Sequence, residues 1–300
     1  MTHLRIRLDG PLDLTRTLAP LRRGFGDPTI RLAGQRAWRA TRTADGPATV
    51  ALVVSGGELL AEAWGPGTER ALEGVSALVG LLDDRAGFAP RHRIVADLDR
   101  RLRGLRLGRS GAVIEALVPA ILEQKVTGEE ARTAFRGLVR VLGEVAPGPA
   151  ALGLRLPPAP ERLASMPYHD YHPFGVERRR AELIRRVAGR AAWFEAIVEF
   201  PIEEGHRRLT ALPGLGPWTA AEVAARALGD RDAVSVGDFH IPNLVAWALA
   251  GEPRGTDARM LELLEPYRPH RGRVIRLLEA GGVRSPRYGP RMAPRRIASI

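Results

Sequence analysis

Apolar and polar residues alternate over the first stretch of the chain. Leu4-Arg5-Ile6-Arg7-Leu8 puts apolar side chains on one face and arginines on the other, as a half-buried strand does. Residues 12–21 read as a short helix. Residues 29–32, 37–43, 48–54 and 59–64 read as strands, with turn chemistry at Asp45-Gly46-Pro47 and Ser55-Gly56-Gly57 between them. The expectation is a small antiparallel sheet with one or two helices. It contains no acid/base cluster and is read as architectural.

From about Glu69 the period lengthens to that of a helix. Val113, Ala116, Leu117, Ala120 and Ile121 form one apolar stripe, ending at Gln124-Lys125-Val126-Thr127. Thr127 is a candidate cap for a helix over 128–142. Further helices are expected at 94–103, 177–190, 193–199, 202–212, 218–228, 239–250, 257–267 and 271–280. A Pro/Gly/Ala-rich loop (146–160) separates two helical lobes. The tail, 284–296, is basic with three prolines, and no internal repeat is found.

Composition narrows the function. The chain is 45% hydrophobic, so it is globular rather than disordered. Its net charge is +11, which points to a polyanionic partner. Almost all the cations are arginine, and Lys125 is the single lysine. Coding bias explains arginine in place of lysine but not the excess of positive over negative charge. With no cysteine there is no disulfide, thiol nucleophile, cysteine-bound zinc or cysteine-bound iron–sulfur cluster. No apolar run reaches the ~18 residues of a membrane span, and residues 1–9 lack a signal-peptide core. A soluble, cytoplasmic, nucleoid-associated monomer is expected.

The most informative phrase is Leu212-Pro213-Gly214-Leu215-Gly216-Pro217-Trp218-Thr219-Ala220, lying between two expected helices. Two glycines around one apolar residue allow a tight turn and a close approach to a partner. The unpaired N–H groups of the helix opening after Gly216 suit a phosphate. Leu215 would plug the two helices together. The plainer reading is an ordinary helical corner punctuated by Gly and Pro. About 20 residues on, the apolar run Val234-Ser235-Val236 ends at Gly237, and Asp238-Phe239-His240-Ile241 follows. Asp238 suits an N-cap, and a cap also fixes where a carboxylate points. Tyr168-His169-Asp170-Tyr171-His172 matches no standard ligand spacing and reads as a polar loop, so no metal site is expected.

LPGLGPWTA followed by VGDFHI resembles the helix-hairpin-helix/GPD superfamily of base-excision DNA glycosylases. Within it, the sequence is most similar to the alkylated-base branch, 3-methyladenine DNA glycosylase II. Ile121-Leu122-Glu123-Gln124-Lys125-Val126-Thr127 and Phe174-Gly175-Val176-Glu177-Arg178-Arg179-Arg180-Ala181 support the likeness. It implies an α+β fold: an N-terminal antiparallel domain (1–85), a mostly α-helical two-lobed glycosylase domain (86–283) and a basic tail (284–300). It also implies a monofunctional hydrolase that flips a damaged, alkylated base out of duplex DNA and cleaves its N-glycosidic bond.

By the same resemblance, Asp238 is the catalytic carboxylate that stabilises an oxocarbenium-like sugar. Trp218, Phe239 and Glu222 fall at substrate-pocket positions; helix packing is the plainer role for the two aromatics. Gln124, Lys125, Thr127, Gly214, Leu215, Gly216 and Thr219 fall at DNA-binding positions, with Lys125 in the loop that enters the duplex. In the lyase relatives a Schiff-base lysine stands where this chain has Trp218, and a tryptophan cannot form an imine. The resemblance requires no cofactor, although hairpin carbonyls in this family can hold a monovalent cation. Glu222 replaces an aromatic, and the helix over 271–279 carries no tryptophan, so the pocket is less aromatic than in the family. The alternative from another class is a non-catalytic helix-hairpin-helix DNA-binding protein.

Overall fold

A computed structural model of the chain describes residues 2–286; of the basic tail, 287–300 lie outside the described residues. Five strands, β1 (Thr2–Arg7), β2 (Ile30–Ala33), β3 (Arg36–Thr43), β4 (Gly46–Ser55) and β5 (Glu58–Trp64), form one antiparallel sheet in the order β1-β5-β4-β3-β2. The β4–β5 register closes at Ser55↔Glu58. Gly56 and Gly57 make that turn with φ of 59° and 78°, the pair of positive values that matches strand twist. The β3–β4 turn falls one residue earlier than expected, at residues 44–45, because Gly46 already pairs with Thr43. Helices α1 (Leu14–Leu18), α2 (Thr68–Glu73) and α3 (Val75–Leu78) cover the sheet around Leu52, Leu59 and Val75.

The rest is helical: α4 (Arg93–Arg101), α5 (Val113–Leu122), α6 (Gly128–Leu142), α7 (Pro160–Ser165), α8 (Arg178–Ala188), α9 (Ala191–Glu195), α10 (Ile202–Thr210), α11 (Pro217–Val223), α12 (Ile241–Ala250), α13 (Asp257–Leu264) and α14 (Arg271–Ala280). They build two cores. One surrounds α5, which is apolar nearly all round and is buried accordingly. The Glu195 carboxylate accepts from the Val113 and Ile114 amides at 2.7 and 2.9 Å and so caps α5 from another helix. The second core joins α4 to α12, α13 and α14, so segments far apart in sequence share it.

Ion pairs tie the layers together. Glu115 on α5 takes Arg39 at 2.6 Å and the Thr41 hydroxyl at 2.8 Å from the sheet. Arg273 on α14 holds Asp83 through both oxygens, at 2.9 and 2.5 Å, with both residues almost fully buried. Residues 168–174 form a 3₁₀ helix rather than an open polar loop. Tyr171 is fully buried in the first helical core and donates to the Leu163 carbonyl at 2.7 Å.

Candidate active site and DNA-facing surface

The hairpin joins α10 to α11. Leu215 is 3% exposed and packs in the core between helices, while its amide closes the turn on the Leu212 carbonyl. Its side chain is therefore spent on packing inside the hairpin. Gly214 has φ +106°, a value that favours glycine, and a Cβ there would press on Leu183 at 3.1 Å. Gly216 is different: nothing lies within 4 Å of the Cβ it lacks. The space beside Gly216 opens outward at the start of α11, where the first-turn N–H groups have no intrahelical acceptor.

The α5–α6 loop leans on this hairpin. Gln124 Nε2 donates to the Gly214 carbonyl at 3.1 Å and to Thr219 Oγ1 at 3.0 Å. Thr219 is 2% exposed, so it positions Gln124 and does not reach outward. Thr127 is likewise committed: its hydroxyl accepts from the Glu130 amide, and Glu130 reaches back to the Thr127 amide, a complete capping box. Lys125 sits exposed at the loop tip with φ +55°, the only positive φ of a non-glycine among the described residues. For a non-glycine residue that conformation is costly. The fully buried Arg180 on α8 anchors the loop's base, donating to the Leu122 carbonyl at 2.7 Å.

Asp238 stands beside the hairpin. Gly237, at φ +90°, turns the chain out of the apolar run, and its amide is held by Asp257. Asp238 Oδ1 accepts the His240 and Ile241 amides at 2.7 and 2.9 Å. Oδ2 accepts the Trp218 indole N–H at 3.0 Å. Three of the roughly four lone-pair positions of a carboxylate are then used, leaving about one for a substrate or water. Because Asp238 caps from two residues outside, α12 begins at Ile241 and not at Phe239. Phe239 is 82% exposed, against the expectation that it lines the pocket.

Next to Asp238 lies a cavity of about 100 Å³, between α1, α11, the Ser235 segment and α14. Ser235 and Ile241 line it, and both hydrogen-bond to Asp238, the first through its carbonyl and the second through its amide. Glu222 is in its wall as expected, with Arg226, Arg276 and Glu279. Glu222 accepts the Ser235 hydroxyl and the Arg226 guanidinium, each at 2.6 Å. Burial alone would push its carboxyl up, but Arg226 and Ser235 hold it below the usual carboxylate range. Ser235, Arg276 and Glu279 were not singled out from the sequence. A loop signal was missed too: Gly24-Phe25-Gly26, both glycines at φ +80°, displays Phe25 at 92% exposure beside α6. Arg136 of α6 fixes that loop by donating to the Phe25 carbonyl at 3.1 Å.

Comparison with known proteins fits this arrangement. No family model matches the chain. Over 137 residues it is 32% identical to a probable bifunctional transcriptional activator/DNA repair enzyme AlkA of Mycobacterium tuberculosis. That match takes in 45% of this chain and 27% of the relative, so the chain spans about a quarter of the curated relative it matches. A 3-methyladenine DNA glycosylase from Archaeoglobus fulgidus superposes with a TM-score of 0.74 at 20% identity, covering 92% of this chain and 97% of that one. The 8-oxoguanine glycosylase/lyase of Clostridium acetobutylicum gives 0.70 at 14% identity, covering 93% and 96%. The α+β fold is therefore the one these two glycosylases share. Among the described residues no group of three or more His, Cys, Asp or Glu is arranged to hold a metal, and no helix is long and apolar enough to cross a membrane.

Proposed function

We propose that this protein is a monofunctional DNA glycosylase that hydrolyses the N-glycosidic bond of damaged bases, alkylated ones among them, in duplex DNA. The observation that carries the reading is the placement of Asp238. Its carboxylate is held by three N–H donors, between an outward-facing hairpin and a cavity. A carboxylate fixed in this way stabilises the positive charge that develops on the sugar as the bond breaks, and pays no reorganisation at that moment. The base leaves the stack and enters the cavity; the hairpin amides beside Gly216 take a phosphate. Trp218 acts here by aiming the carboxylate through its indole N–H. The test is incubation with damaged duplex: release of free base, with the strand left uncut until alkali is added, is the expected result. A strand nicked in step with base loss would make the protein a lyase.

Lys125, at the α5–α6 loop tip, and Phe25, held beside α6 by Arg136, extend the DNA-facing surface in this proposal. Lys125 fills the gap left by the flipped base with its stem and meets phosphate with its ammonium. Phe25 stacks on a base or sugar. Stacking of an aromatic on a base is worth about 1–3 kcal/mol, so Phe25→Ala should weaken duplex binding roughly 5- to 100-fold. Fluorescence anisotropy with a labelled duplex measures this, and unchanged affinity would remove Phe25 from the interface.

The hairpin does not suit a resident monovalent cation at two of its carbonyls. The Pro213 oxygen accepts from the Arg186 guanidinium at 2.8 Å, and the Gly214 oxygen accepts from Gln124. A guanidinium already supplies positive charge at this loop, and no step of the proposed reaction passes through a metal.

A further inference from the structure

We infer that the cavity beside Asp238 selects uncharged damaged bases by hydrogen bonding, through Arg276, Glu279 and Glu222, in preference to cationic alkylated bases held by stacking. This rests on the glycosylase reading and deepens it by naming the substrate class.

The cavity's lining decides between the two modes. A cationic methylated purine is well held between aromatic faces, because the ring quadrupole attracts the charge. No aromatic side chain lines this cavity. A second way to hold a cation would be a net negative lining. Here the acidic lining residues Glu222, Asp230 and Glu279 are matched by Arg106, Arg226 and Arg276, so beyond Asp238 itself the wall offers a cation no excess of negative charge. What remains is a largely aliphatic wall that carries a few fixed donors and acceptors, and those polar groups discriminate by the pattern on a base's edge.

Those groups are held in place by their neighbours. Arg276 is anchored by donating to the Arg16 carbonyl at 2.6 Å, with another guanidinium nitrogen 3.7 Å from Glu279. Glu222 is fixed by Ser235 and Arg226. Glu279 lines the cavity and keeps 45% of its side chain accessible. Burial pushes its carboxyl up, and the nearby Glu222 and Asp238 add to the effect although Arg276 and Arg226 oppose it. Arg276 donates and the Glu279 and Glu222 oxygens accept, so together they suit a base edge that carries an acceptor beside a donor, as an amide edge does. The cavity has room for several waters; a base that reproduces their hydrogen bonds can displace them without loss.

The experiment measures single-turnover release from two duplexes of one sequence, one carrying hypoxanthine and one 7-methylguanine. Each rate is divided by the spontaneous loss of that base. The expected enhancement is at least tenfold larger for hypoxanthine. Arg276→Met and Glu279→Gln should each lower hypoxanthine release on the order of tenfold, the worth of one hydrogen bond, and lower 7-methylguanine release by a clearly smaller factor. Equal or greater enhancement for 7-methylguanine overturns the inference and leaves the glycosylase reading standing. So do variants that depress both substrates alike. No free base from either duplex, or from one carrying 1,N6-ethenoadenine, overturns both.

Discussion

Asp238→Asn should abolish base excision while DNA binding survives. The substitution keeps an oxygen for the His240 and Ile241 amides, so the cap at α12 is retained. It removes the charge, and it sets an amide N–H₂ against the Trp218 indole N–H. Loss of one well-placed electrostatic contact to a transition state costs on the order of 10²–10³-fold in rate, and here the group removed carries a full charge. Single-turnover base release should therefore fall by at least that factor. Duplex affinity should stay within about threefold, because Gly214, Gly216 and Lys125 are untouched. A mutant that retains wild-type turnover would show that Asp238 is only a cap.

Arg273→Met should have the largest effect on stability. Arg273 is fully buried and pairs bidentately with Asp83, whose side chain is nearly inaccessible and also accepts the Leu107 amide at 3.0 Å. Removing one partner of a buried pair leaves an uncompensated charge, at a cost of about 3–5 kcal/mol. The urea midpoint should drop accordingly. Adding Asp83→Leu should recover only part of the loss, because the Leu107 amide then lacks an acceptor. Since α14 also carries Arg276 and Glu279 into the cavity wall, excision should weaken before the protein unfolds. A midpoint within 1 kcal/mol of the parent would mean that solvent reaches Asp83 in the native protein.

Much of this was legible in the sequence, and the misses have local causes. Period-two alternation and the Gly56-Gly57 pair exposed the sheet, since both follow from single-strand geometry and turn chemistry. Asp238 was legible because a glycine ending an apolar run, then an acid, then a helix is a cap signature, and a cap fixes a carboxylate. The same cap misplaced Phe239: with two residues spent turning back to Asp238, α12 starts later and the phenyl ring points outward. Thr127 was assigned to DNA although Thr127-x-x-Glu130 already spells a capping box that consumes its hydroxyl. Leu215 and Thr219 lie in the hairpin phrase expected to meet DNA, but the hairpin closes by burying them. The cavity was beyond sequence reasoning, since its wall joins Arg106, Glu222, Ser235 and Glu279 from four separate segments. The chain after α11 also widens into a π turn over residues 224–228, which carries Arg226 to that wall.

The most direct test of the central claim is chromatographic detection of free base released by the intact protein from damaged duplex DNA, beside the Asp238→Asn variant. Stoichiometric free base with wild type, matched by alkali-labile abasic sites and absent with the variant, is the predicted result. Tight duplex binding with no base released from methylated, hypoxanthine or ethenoadenine substrates would contradict it and leave a helix-hairpin-helix protein that binds DNA without cutting the glycosidic bond.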